Sequence, residues 1–198
     1  MARRTFFSFH YTPDVWRVWN VRNCWELKSE DSDGFFDSSV FEASQKESED
    51  NLKQFLRNGL KNSSVTCVLA GAKTSERRWV RYEIVRSVLK GNGLLTVDIN
   101  GVKNSDQKTS VKGEDPLACV GLYLSDDKIY FAEKKDGNWI KYSDYKIAVP
   151  AGDLWFAAPT SNAVVPLSKY CERYDFVTQD GRNKIAGWIE LAAKNAGR

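Results

Sequence analysis

A glutamate one helical turn beyond a tryptophan is the pair in this chain best suited to chemistry. Trp79 and Glu83 lie four residues apart in the segment Arg77 to Gly91. Val80, Ile84 and Val88 recur there at helical spacing, and Val85 and Leu89 widen the apolar face. Glu83 falls just outside that arc, so a carboxylate and an aromatic wall are presented together. The same pair also fits a solvated glutamate beside a half-buried tryptophan. Other chemistries have less to draw on. His10 is the single histidine, which leaves one base for any serine or cysteine nucleophile and argues against a catalytic triad. Cys24, Cys67, Cys119 and Cys171 are far apart, lack zinc spacing and read as reduced core thiols.

The elements that must position this pair are legible on either side of it. Ser64-Val-Thr-Cys-Val-Leu-Ala-Gly71 is an apolar run closed by glycine, the pattern of a parallel strand buried on both faces. Upstream, Arg4 to His10 predicts a first strand, and Thr12 with Pro13 and Asp14 predicts a helix start. Phe35-Phe-Asp37 fits a second strand ending in an acid. Ser44-Gln-Lys-Glu47 has capping-box spacing ahead of Leu52, Phe55, Leu56 and Leu60. Gly93 to Asn100 reads as a fourth strand. Strands alternating with helices imply a parallel sheet with right-handed crossovers.

At Gly101 the alternation stops. Residues 101–116 read as a surface loop, and 120–124, 128–133 and 138–142 as three short antiparallel strands. Their aromatics, among them Tyr123, Tyr130, Phe131, Trp139 and Tyr142, either cover a flank of the sheet or form a lid or partner surface. Prolines at 150, 159 and 166 predict irregular structure, followed by a last strand near Arg173 to Thr178 and a final helix capped by Asp180. The expected architecture is α/β and flavodoxin-like: a central five-stranded parallel sheet flanked by helices, with an antiparallel β insertion.

Bulk properties narrow the function classes. The chain has 198 residues, 42% hydrophobic and 28% charged, with a net charge of +3. That charge is too small and too dispersed for a nucleic-acid surface. No stretch is long and apolar enough for a membrane span, and the apolar run behind Met-Ala-Arg-Arg is broken at Ser8 and His10, too soon for a signal peptide. The expectation is a cytoplasmic protein. In open α/β sheets ligands bind beyond the carboxyl ends of the strands where strand order reverses. The sequence puts Phe9-His10-Tyr11 and Ala70-Gly71 there, with Trp79 and Glu83 overlooking the crevice. A receiver domain would need acids after the first strand and a flavodoxin a hydroxyl- and glycine-rich loop; this position holds His10-Tyr-Thr-Pro13.

Trp79-Val-Arg-Tyr-Glu83 resembles the Trp-Cys-x-x-Glu motif of TIR domains, and Phe6-Phe-Ser-Phe-His-Tyr11 resembles the opening strand and first loop of that fold. The resemblance extends from Arg3 to Asn100, returns from Arg173 to Trp188, and is nearest to the TIR-like sensors of Thoeris anti-phage systems. Val80 stands where cysteine is common, and 101–172 has no counterpart in minimal TIR domains. The chain is therefore read as a single TIR-like domain over 1–198, with 101–172 a family-specific insertion containing a β-meander. The resemblance implies an enzyme that cleaves NAD at the nicotinamide–ribose bond and makes a cyclic ADP-ribose-type messenger, with NAD as substrate, no cofactor and no metal. It also implies a phage-derived trigger, an effector protein reached through the diffusible product, and self-association as a homo-oligomer.

Residue by residue, Glu83 would be the catalytic carboxylate. Phe9, Tyr11 and Trp79 would stack on nicotinamide or adenine, and backbone near Ser8 and His10 would meet the diphosphate. His10 also reads as structural, and Asp37 either as a substrate contact or as a strand-end cap. Arg81 falls inside the apolar arc, either with its charged head at the rim or as a partner for Asp37 or a phosphate. The rival readings are a non-catalytic signalling scaffold acting through protein–protein contacts, and a nucleoside-phosphate hydrolase or transferase using the same crevice.

Overall fold

In chain order, a computed structural model describing residues 3–26 and 48–198 gives β1 (Thr5–Phe9), α1 (Tyr11–Glu26), α2 (Glu49–Leu60), β2 (Val65–Ala70), α3 (Arg78–Lys90) and β3 (Gly93–Asp98). Then follow β4 (Val120–Ser125), β5 (Lys128–Lys135), β6 (Asn138–Lys141), β7 (Val165–Pro166), β8 (Glu172–Asp175) and α4 (Gly181–Asn195). The described parallel sheet has the order β1-β2-β3-β8. Its centre is the unbroken apolar run of the sequence: every residue of β2 and β3 is buried, as helices on both faces require. Register pairs Phe9 with Leu69 and Ala70 with Asp98, so the carboxyl ends of β1, β2 and β3 form one edge.

Alternation along the strands divides the core. Phe7, Cys67, Leu69, Leu95 and Val97 point to one face, where they pack with Val18 and Val21 of α1 and Ile185 and Ile189 of α4. Val68 and Leu94 point to the other face, toward Val80, Ile84, Val85 and Val88 of α3. The helix of Glu83 therefore lies across the sheet from α1 and α4. It stops at Gly91, whose φ of +73° is a left-handed conformation that glycine adopts without a Cβ penalty.

A second sheet is antiparallel with the order β6-β5-β4-β7. Its Leu122, Ile129 and Phe131, with Tyr142, are buried in the same cluster as the apolar face of α3, so it covers that face. Charges tie it down as well. Arg78 of α3 donates to both Glu49 of α2 and Asp144, and Lys53 pairs with both acids.

Several local expectations shift. The parallel sheet has four described strands; the expected strand Phe35–Asp37 and the capping box at Ser44–Glu47 lie outside the described residues. Among those described, Ser48 caps α2, its hydroxyl accepting from the Asn51 amide at 3.2 Å. Helix α1 begins at Tyr11, so Thr12 sits inside the first turn and does not cap it. Asp180 precedes α4 as expected, but its carboxylate takes Asn183 Nδ2, and the helix amides of Asn183 and Lys184 reach its carbonyl. Arg81 is partnered by Glu133 of β5 at 2.8 Å and by the Ser75 carbonyl at 2.9 Å; neither Asp37 nor a phosphate is needed to explain it.

Candidate active site

Three segments converge at the carboxyl edge of β1 and β2. Strand β1 directs Ser8 to the α3 face, because Phe7 before it points to the α1 and α4 face. Glu83, in the second turn of α3, reaches across to it: the Ser8 hydroxyl donates to Glu83 Oε2 in a very short hydrogen bond. Glu83 is only 7% exposed, so the solvated-glutamate reading fails. Burial pushes its carboxyl up to about 8, with the Ser8 hydrogen bond opposing that rise. Glu83 is thus mostly protonated near neutrality until something stabilises its charge.

The backbone beneath Glu83 is fixed by buried hydroxyls. Ser87 Oγ donates to the Glu83 carbonyl at 2.7 Å, and Thr66 Oγ1 of β2 lies 2.7 Å from Ser87 Oγ. With the Ser87 proton spent on Glu83, Thr66 is the donor in that pair and accepts from Asn92 Nδ2 at 3.3 Å. One turn of helix is so clamped to the central strand.

At the mouth, Phe9 and Tyr11 present their rings 6.2 Å apart and tilted by 39°. His10 between them is half-buried, and its Nδ1 is enclosed without a hydrogen-bond partner. Its pKa is lowered, first by burial and then by the positive charge of Arg77, so the imidazole is neutral at pH 7. Trp79 faces a different neighbourhood. Its ring meets Tyr82 edge-on at 6.0 Å, lies under the Arg78 guanidinium and packs on the Leu52 and Leu56 cluster of α2. The structure therefore brings Ser8, Glu83, Phe9, His10 and Tyr11 together, sets Trp79 toward α2, and leaves Asp37 outside the described residues.

Two features of this edge were passed over in the sequence. Arg77 immediately precedes α3 and is the cation that lowers the His10 pKa most, with Lys73 adding to it and Glu76 opposing. Asp14 is 2% exposed, pairs with Arg17 at 3.2 Å, and lies so close to Gly71 that a Cβ there would come within 2.0 Å of its Oδ2. The available signal was the i, i+3 spacing of Asp14 and Arg17 in a helix otherwise rich in apolar residues.

A parallel sheet carrying a buried glutamate on the helix after its central strand, beside an aromatic loop after its first strand, defines a TIR-like α/β protein. A family model described as Thoeris protein ThsB, TIR-like domain, matches residues 6–104. A relative from Bacillus cereus (strain MSX-D12), named "Putative cyclic ADP-D-ribose synthase ThsB1", is 38% identical over 198 residues, covering 96% of this chain and 100% of the relative. The chain belongs to the Thoeris ThsB family of TIR-like proteins.

Proposed function

We propose that this protein is an anti-phage TIR enzyme that cleaves NAD at the nicotinamide–ribose bond and closes the ADP-ribose into a cyclic messenger for a separate effector. The observation that carries the reading is the Glu83 carboxyl, held by Ser8 at the carboxyl edge of β1 beside the Phe9 and Tyr11 rings. The name of the Bacillus cereus relative supports the same chemistry.

The C1′–N bond breaks with its electron pair passing to the pyridine nitrogen, so nicotinamide leaves neutral and needs no general acid. The ribose left behind is oxocarbenium-like, and an ionised Glu83 stabilises it. The nicotinamide ring of NAD carries a positive charge, and its entry beside Glu83 favours the carboxylate that burial alone disfavours. A nucleophile within the same ADP-ribose then attacks C1′ and gives up its proton, if it carries one, to solvent or to Glu83. Phe9 and Tyr11 supply stacking surface, backbone at Ser8 and His10 with Arg77 meets the diphosphate, and Asp37 contacts ribose, while Trp79 packs against α2. NAD is a substrate, with no resident cofactor.

The same proposal takes 1–198 as one TIR-like domain with a five-stranded parallel sheet, and 101–172 as its insertion. It places the protein in the cytoplasm; no described helix is long and apolar enough to cross a membrane. A phage component triggers it and self-association regulates it.

Mass spectrometry of extracts from infected and uninfected cells carrying the protein or Glu83→Gln tests the reading. A cyclic ADP-ribose isomer that needs both infection and Glu83 is the expected result. The burial of Glu83 favours one rival, a non-catalytic scaffold in which the residue is structural. Glu83→Gln protein that still protects cells, with no NAD-derived species, would select it.

A further inference from the structure

Residues 110–115, from the long loop after β3, cross the carboxyl edge of the parallel sheet as a strap. Register sets where they lie. Phe9 pairs with Leu69 and Ala70 with Asp98, so Gly71 leaves the end of β2 beside the loop that carries His10 and Tyr11. Gly113 of the strap packs directly on that position. A Cβ on Gly113 would come within 2.3 Å of the Gly71 carbonyl oxygen and 2.8 Å of the Ala72 carbonyl oxygen, so only glycine fits. The strap is thus the wall of the Glu83 crevice on its β3 side.

Buried charge holds the wall in place. Asp98, the last residue of β3, is 1% exposed and takes two cations, Lys112 of the strap at 2.7 Å and Arg173 of β8 at 2.7 Å. Arg173 Nη2 also donates to the Gly113 carbonyl at 2.9 Å, so one guanidinium fork ties the strap to the sheet. At one end of the strap the Ser110 amide donates to the Asn100 carbonyl at 2.9 Å. At the other, Asp115 Oδ1 accepts from Thr96 Oγ1 at 2.7 Å and from the Leu117 amide at 3.0 Å. The edge beneath is shut to solvent: Asp14 Oδ2 against Gly71, Asn100 Oδ1 and Ser110 Oγ are enclosed, with no hydrogen-bond partner among the described residues.

Solvent access decides the second half of the reaction. Once the C1′–N bond has broken, two nucleophiles compete for C1′. A nucleophile within the ADP-ribose closes the ring. Water attacking instead gives linear ADP-ribose, its spare proton passing to solvent or to Glu83. Closing a site against water protects a reactive intermediate from that hydrolysis. We propose that the strap sets the partition between cyclisation and hydrolysis, with Gly113 and Arg173 as the positioning residues that keep water out. The inference rests on the reading of Glu83 as the carboxylate of an NAD-cleaving site.

The test supplies NAD to lysates of phage-infected cells expressing equal amounts of wild type, Gly113→Ala or Arg173→Lys, with a Glu83→Gln lysate as the blank. Mass spectrometry reads nicotinamide, cyclic product and linear ADP-ribose. Gly113→Ala drives the strap off Gly71 and raises the ratio of linear to cyclic product about tenfold, while nicotinamide release stays close to wild type. Arg173→Lys keeps a cation for Asp98 but gives up the fork that also holds Gly113, and raises the ratio less. Cyclic product added to either variant lysate stays intact. An unchanged ratio in both variants overturns the proposal, whether total release holds or falls, because a merely structural role lowers both products together. Breakdown of added cyclic product overturns it as well. Wild-type nicotinamide release no higher than the blank overturns the reading of Glu83, and this inference with it.

Discussion

Replacing Glu83 by glutamine should stabilise the folded chain, by an amount that grows as pH rises from about 4.5 to about 8. The buried carboxyl is pushed from an ordinary 4.5 up to about 8. Below 4.5 both folded and unfolded states hold the proton, and the residue adds no pH dependence. Between 4.5 and about 8 the folded state keeps a proton that the unfolded state has released, so stability falls as pH rises, by about 1.4 kcal/mol per unit. Above 8 the loss levels off at about 5 kcal/mol. Glutamine keeps the shape, stays neutral throughout, and still accepts from the Ser8 hydroxyl. Every other group titrates alike in both proteins, so the difference isolates Glu83. Urea denaturation at pH 5, 7 and 9 should give curves within about 1 kcal/mol at pH 5 and a gap of several kcal/mol favouring Glu83→Gln at pH 9. Parallel stability profiles across that range would refute the claim that Glu83 is buried and mostly protonated at rest.

Turnover should carry the same signature: kcat/KM for NAD rises with pH toward a limb near 8, and Ser8→Ala moves the limb higher, because the lost hydrogen bond is what holds the carboxyl down. A pH-rate profile checks this, and a limb that moves lower contradicts it. Gly71→Ala sets a Cβ 2.0 Å from Asp14 Oδ2 and should cost about 1–3 kcal/mol by thermal denaturation. In a double-mutant cycle Asp14→Ala should recover part of that cost. Arg17→Met removes the donor shared by Val102, Lys108 and Asp14, and should destabilise by about 3 kcal/mol or more. Limited proteolysis should then cut first within 102–108.

The parts of this fold that sequence exposes are those where one physical rule acts alone. The run Val65–Ala70 can only be a strand buried on both sides, and Val80, Ile84 and Val88 can only be one face of a helix. The site needed more. That Glu83 faces a crevice followed from its place beside the apolar arc, but its burial depends on Ser8, 75 residues away on another strand. No local pattern marks such a partner. Arg81 looked anomalous for the same reason: its counter-charge, Glu133, arrives from β5, 52 residues further on. Trp79 shared a face with Glu83 by spacing, yet α2 takes up that side of the ring, a packing outcome that periodicity cannot supply. The start of α1 lies at Tyr11 and not after Thr12, a shift of the residue or two by which helix ends vary.

The most direct test is the rate of nicotinamide release from NAD labelled in its nicotinamide ring, in lysates of phage-infected cells expressing equal amounts of the protein or Glu83→Gln. A Glu83-dependent rate, about 100- to 1000-fold lower in the variant, is the predicted result. Equal release from both, or none above cells lacking the protein, would contradict a catalytic carboxylate at Glu83.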